Sequence, residues 1–153
     1  MSDIAIHRAE PRDCSTAYAV VEEYYAAVGV VARDSPGEFA RMYFAGDAGV
    51  WLASAENSAI AGCIALRRLL EFEDSGEIKR LYVRPAFRGL GIAKLLLTAL
   101  ERFARDCGYR RLYLDTASDM LAAQRFYRDS GYLPCARYND NPQAAIFLMK
   151  ELK

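Results

Sequence analysis

Glu77-Ile-Lys-Arg-Leu-Tyr-Val-Arg-Pro-Ala-Phe-Arg-Gly-Leu-Gly-Ile-Ala93 reads as a strand, a turn and the start of a helix. Residues 78–83 are rich in β-branched and aromatic side chains, which favour a pleated strand. Pro85 has no N–H to give to a ladder, so the strand ends near it. Arg88, Gly89, Leu90 and Gly91 form a short glycine-bearing loop. Ile92, Leu95, Leu96, Ala99, Leu100 and Phe103 then recur at helical spacing.

This layout suits an anion. A helix N-terminus carries unpaired N–H groups and a partial positive charge. Glycines let an anion approach the backbone closely, and Arg88 adds a permanent cation at the loop entrance. Phosphate or pyrophosphate is the natural ligand class. The dinucleotide fingerprint does not fit, because Arg88 stands at its first glycine and Ala93 at its third. No Gly-Lys-Ser/Thr follows, so this is not a P-loop. The loop alone also fits a helix that simply follows a glycine turn.

The spelling Arg88-Gly-Leu-Gly91-Ile-Ala93 is more specific than a glycine count. It resembles the signature Arg/Gln-x-x-Gly-x-Gly/Ala of the GCN5-related N-acetyltransferases, the GNAT family. The preceding residues 78–85 look like that family's central strand. A second block resembles it too: Leu114-Asp115-Thr116, then Ala123-x-x-Phe126-Tyr127-x-x-x-Gly131-Tyr132. The resemblance implies that residues 88–93 (Arg88, Gly89, Leu90, Gly91, Ile92, Ala93) bind the pyrophosphate of acetyl-coenzyme A. It also implies that the backbone of Leu81, Tyr82 and Val83 pairs with the pantetheine arm. Core packing of Leu81 and Val83 is compatible with that role.

Composition is that of a globular chain. Apolar residues make up 53% of 153, too many for disorder. Lysine plus arginine equals aspartate plus glutamate, 20 against 20, so no net field calls for nucleic acid or an anionic membrane. The apolar runs fall short of a membrane span. Charges spread over residues 3–13 exclude a secretory signal there. Cys14, Cys63, Cys107 and Cys135 are widely spaced and read as free thiols in a reducing, cytoplasmic setting. His7 is the sole histidine, so neither zinc nor a Cys–His nucleophile is expected, and no metal is called for.

In chain order, residues 4–8 alternate as a first strand. A helix opens at Pro11-Arg12-Asp13, with Asp13 or Ser15 as N-cap, and runs to about Val28 before Gly29. Ser35-Pro36-Gly37-Glu38 is a second helix start, with a capping box, reaching about Phe44. Residues 49–55 and 59–69 form a hairpin. Residues 71–76 form an acidic turn into the central strand. A helix from Gly91 to Cys107 leads to a strand at residues 111–116, so this strand–helix–strand unit has parallel neighbours. A helix at residues 120–130, a segment at 133–138, a turn at 139–142 and a last strand at 144–152 complete the chain. The expected fold is α/β, one domain over residues 1–153. The resemblance implies a mixed, mostly antiparallel sheet of about seven strands, with helices on both faces. That sheet would splay open between the fourth and fifth strands.

Acetyl transfer to an amine needs a neutral nucleophile, a stabilised oxyanion and a protonated leaving thiol. Glu77 is the first candidate base; its plain reading is a solvated strand-end charge paired with Arg68 or Lys79. Asp115 is second, with a cap or turn role as its plain reading. Tyr127 falls where the family motif places the tyrosine facing the thiol, so it is the candidate acid. Its alternative is core packing beside Phe126 and Tyr132. The resemblance puts the acceptor between the first two helices and the loop before the last strand. Tyr24, Tyr25, Arg33, Phe39, Arg41, Tyr43 and residues 138–141 are the candidates there. The expected activity is transfer of acetyl from acetyl-CoA to a primary amine of a small molecule, by direct attack in a ternary complex. Protein N-terminal or lysine acetylation, and non-enzymatic acyl-CoA sensing, are the alternatives. A homodimer is common in the resembled family.

Overall fold

The computed structural model describes residues 3–153. Seven strands lie in one sheet: β1 Ala5–Arg8, β2 Gly49–Ser54, β3 Ile60–Arg68, β4 Ser75–Val83, β5 Arg111–Thr116, β6 Leu133–Pro134 and β7 Ile146–Glu151. Their spatial order is β1-β2-β3-β4-β5-β7-β6. Every neighbouring pair is antiparallel except β4 with β5. Four α-helices cover the faces: α1 Cys14–Val28, α2 Pro36–Tyr43, α3 Ile92–Asp106 and α4 Leu121–Asp129.

Two apolar layers sit on opposite sides of the sheet. On one, α3 and α4 bury Leu96, Leu97, Leu100 and Tyr127 against Ile64, Leu66, Ile78, Leu112 and Leu114. On the other, α1 and α2 bury Val20, Val21, Tyr25, Phe39 and Tyr43 against Val50, Leu52, Cys63 and Ala65. The split follows strand alternation: Ile64 and Leu66 face one way, Cys63 and Ala65 the other.

Several local signals act as the sequence leads one to expect. Ser35 accepts from the Glu38 N–H while Glu38 accepts from the Ser35 N–H, a complete capping box. Gly29 ends α1 in the left-handed conformation, with φ 71°. The N-terminal helix differs. Pro11–Asp13 is a 3-10 turn and α1 starts at Cys14, because the Asp13 carboxylate takes the Glu10 N–H instead of an α1 amide.

Two strand boundaries also differ. β4 begins at Ser75, not at residue 78, because Ser75, Gly76 and Glu77 pair with Arg111, Leu112 and Tyr113 of β5. Gly76 permits this: a Cβ there would lie 2.8 Å from the Leu66 side chain and 3.1 Å from that of Leu112. The segment 133–138 keeps only two strand residues. Beyond them, Arg137 spends its guanidinium on the carbonyls of Asn139, Asn141 and Ala144, which folds the chain into a loop.

The β4–β5 register positions the site. Only those three residue pairs join the two strands; from Ile78 to Val83, β4 pairs with β3 alone. The sheet therefore opens into a wedge. A bulge sharpens it: Cys63 faces Tyr82 while Ala65 faces Lys79, so β4 carries an extra residue opposite Ile64. Arg80 sits in that bulge at φ 60°, a conformation unusual for a side-chain-bearing residue. Gly62 lies against it, where a Cβ would come within 2.5 Å of the Tyr82 carbonyl oxygen. Among the described residues, no helix is long and apolar enough to cross a membrane.

Candidate active site

The wedge opens into a cleft of about 580 Å³, lined by β4, the glycine loop, α1 and α4. Leu81, Tyr82, Val83, Arg88, Gly89, Gly91, Ile92 and Ala93 all line it, with Tyr24, Met120, Ala123 and Phe126 on the opposite side. Leu90 does not; its side chain points outward and is 55% exposed. Gly89 and Gly91 hold φ of 82° and 77°, and Gly91 is the N-cap of α3. A side chain there would be strained although the space is open. The first-turn amides of α3 have no intrahelical acceptor, so they remain available at the cleft. Arg88 is steadied by donating from Nε to the Val83 carbonyl at 3.0 Å. Its guanidinium stays exposed beside the loop and lies 6.0 Å from the Tyr82 ring centroid.

Tyr127 projects from α4 into the layer packed on α3, with its ring edge-on to Tyr132 at 5.5 Å and to Phe126 at 5.2 Å. Tyr127 itself is not among the cleft-lining residues, but its neighbours Phe126 and Tyr24 are. Burial, and then proximity to Tyr24, hold its phenol well above the usual tyrosine range. The group is thus a neutral phenol throughout the ordinary pH range, and no hydrogen bond contributes to the shift.

Glu77 is placed differently from the solvated strand-end charge that its position suggested. It is a fully buried residue inside β4. Its partner is neither Arg68 nor Lys79. Arg67, directly opposite on β3, gives Nε at 2.9 Å and Nη2 at 2.8 Å to Oε1. Arg68 turns away to Asp47. The other carboxylate oxygen accepts the Tyr138 hydroxyl at 2.7 Å and, more weakly, the Asn139 amide at 3.5 Å. Burial, and then the Glu77 charge, raise the Tyr138 phenol far above its ordinary value. Burial works against the Arg67 charge, yet Glu77 beside it holds the guanidinium above its ordinary pKa.

Asp115 lies on β5 beyond the paired residues, on the wall of the wedge facing Glu77's side of the sheet. One oxygen accepts Asn139 Nδ2 at 2.6 Å and Asn141 Nδ2 at 3.5 Å. Among the described residues Asp115 has no ion-pair partner, in contrast to Glu77 and to Asp34, which binds Arg80 at 3.2 Å.

The acceptor-side candidates divide sharply. Tyr25, Phe39 and Tyr43 are core residues, each no more than 1% exposed, and cannot offer a free surface. Tyr24 lines the cleft, and Tyr138 and Asn139 meet Glu77. Sequence reasoning missed Arg67 and Arg80. The register of β3 against β4 would have found the first. Nothing in the spelling marks a bulge at the second.

A family model described as the acetyltransferase (GNAT) family matches residues 16–132. An uncharacterized N-acetyltransferase of Schizosaccharomyces pombe is 34% identical over 101 residues, covering 65% of this chain and 60% of its own. The chain thus spans less than two thirds of that relative's length. A GNAT-family acetyltransferase structure from Staphylococcus aureus superimposes with a TM-score of 0.84 at 20% identity, covering 99% of this chain and all of its own. The Salmonella typhimurium protein YncA, solved with its cofactor acetyl-CoA, superimposes with a TM-score of 0.73 at 23% identity over 98% and 94% of the two chains. The family model spans well over half of the 153 residues, and the chain belongs to the GNAT family.

Proposed function

We propose that this chain, as one catalytic domain, transfers the acetyl group of acetyl-CoA to a primary amine of a small molecule. The observation that carries the reading is the unpaired edge of β4 from Ile78 to Val83, opening directly onto the glycine loop and the N-terminus of α3. An extended amide-bearing arm fits the edge, and a pyrophosphate fits the loop. Arg88 supplies the nearby cation. The solved YncA complex, which holds acetyl-CoA, supports the same donor here.

The residues divide the chemistry between them. The amine attacks the thioester carbonyl, the C–N bond forms and the C–S bond breaks. Tyr127, held as a neutral phenol, gives its proton to the departing sulfur. Glu77 has its lone pairs occupied by Arg67, Tyr138 and Asn139, so it takes the amine's proton through the Tyr138 hydroxyl rather than directly. No acyl-enzyme is needed, because a thioester already has a good leaving group.

Calorimetric titration with acetyl-CoA, alongside dephospho- and desulfo-analogues, tests the donor site. Saturable binding that weakens as phosphates are removed is expected. A thiol-release screen of primary amines then tests transfer, and absence of acetyl-CoA binding would overturn the reading.

A further inference from the structure

Residues 139, 141 and 143 form a ladder of side-chain amides. The Asn141 N–H donates to Asn139 Oδ1 at 3.0 Å, and the Gln143 N–H donates to Asn141 Oδ1 at 3.1 Å. The lower rungs, Asn139 and Asn141, donate to Asp115 at the wedge. At the upper rung, Gln143 crosses to the loop that follows α1. Its Nε2 donates to the Gly29 carbonyl at 3.0 Å and its Oε1 accepts the Val31 N–H at 2.9 Å. One side chain thus pairs with a backbone C=O and N–H of a segment 112 residues away, as a neighbouring strand would.

That loop is fastened at its far end as well. Asp34 holds Arg80 at the β4 bulge, and the Asp34 carbonyl accepts the Tyr18 hydroxyl at 2.6 Å. The loops at residues 29–35 and 135–145 flank the side of the wedge where Glu77 and Asp115 lie. The two Gln143 hydrogen bonds join them.

Resting on the transferase reading above, we propose that Gln143 is a latch that closes this side to polypeptides, so that the acceptor is a free small amine. A peptide backbone lying across the site needs the space that the Gln143 bridge occupies. A small amine does not. Both latch bonds are solvent-exposed and of ordinary strength, so the latch discriminates by a modest factor and can be undone by one substitution.

The test compares the wild type with Gln143→Ala and Gln143→Glu in a thiol-release assay with acetyl-CoA. One pool holds free amines (amino acids, polyamines, arylalkylamines). The other holds ten-residue peptides bearing a free N-terminus or an internal lysine. The wild type is expected to turn over the free-amine pool and leave the peptides. Gln143→Ala should raise the peptide-to-amine ratio of kcat/KM by roughly tenfold, the scale of losing two ordinary hydrogen bonds. Gln143→Glu, which cannot donate to Gly29, should fall between. Faster hydrogen exchange at the Val31 amide in Gln143→Ala would show the latch released. Efficient peptide acetylation by the wild type, or a ratio unmoved by Gln143→Ala, overturns the proposal and leaves the transferase reading standing. Acetyl-CoA binding without turnover of either pool overturns it too. Failure to bind acetyl-CoA at all is instead the failure of the transferase reading.

Discussion

The Tyr138 hydroxyl lies 2.7 Å from Glu77 Oε2, joining the loop before the last strand to the interior of the central one. Arg67 holds the other oxygen of the same carboxylate. Glu77 is therefore a buried ion-pair member and, in the proposed mechanism, the end of a proton path, and its substitution should separate the two roles.

Glu77→Gln leaves the Arg67 guanidinium without its carboxylate. Stability should drop by about 1–3 kcal/mol, less than for a fully buried pair because the Arg67 side chain is 35% exposed. Urea unfolding measures this. Arg67→Met in the Glu77→Gln background should restore part of the stability but none of the rate. Tyr138→Phe should keep the ion pair and lower kcat, and an unchanged kcat would remove Tyr138 from the proton path.

Tyr127→Phe removes only a hydroxyl. If Tyr127 donates the proton to sulfur, kcat should fall by ~10²–10⁴ while acetyl-CoA binding measured by calorimetry is retained. The pH dependence has a definite sign. Burial raises the phenol above the ordinary tyrosine value, so its proton is present below and through that value. The wild-type kcat profile should therefore show no alkaline fall from this group up to about pH 10.

Arg88→Ala should raise KM for acetyl-CoA with kcat little changed, the pattern of lost binding common to ground and transition states. Higher salt should weaken wild-type binding more than that of the variant. Equal KM values would count against the phosphate role of the loop.

Gly62→Ala places a methyl 2.5 Å from the Tyr82 carbonyl, which is backbone and cannot swing away. The expected cost is about 1–3 kcal/mol. Because the displaced residue borders the bulge, acetyl-CoA affinity should fall as well. A thermal melt and a titration on the same sample check both.

The four cysteines should react in order of exposure. Cys107 is exposed and should be alkylated first, whereas Cys63 is fully buried and its thiol is pushed up to about 12. Mass spectrometry after a short iodoacetamide pulse at pH 8 should find Cys63 unmodified until the protein is unfolded.

Much of this was written locally in the chain. The strand–turn–helix around Arg88 and Gly91 is specified by residues that touch one another, and so is the Ser35–Glu38 cap. The glycine loop could be placed at the start of α3 from motif spacing alone. What could not be read depends on register. Glu77 looks like a charge at a strand entrance until β5 is seen to extend β4 backward by three residues, which buries it. Arg67 rather than Arg68 is its partner because only alternate residues of β3 share its face. Tyr25, Phe39 and Tyr43 looked like a binding surface because helix periodicity does not say which aromatic stripe faces the sheet. The Arg80 bulge has no glycine to announce it; Asp34 and the surrounding tyrosines hold it from a distance in sequence.

The β4 edge of the wedge is already fixed by β3 on one side and has no strand partner on the other from Ile78 to Val83. An extended molecule that enters meets donors and acceptors that need no rearrangement. The ordering cost of recognition was met when the chain folded, so recognition along this edge is preorganised rather than induced.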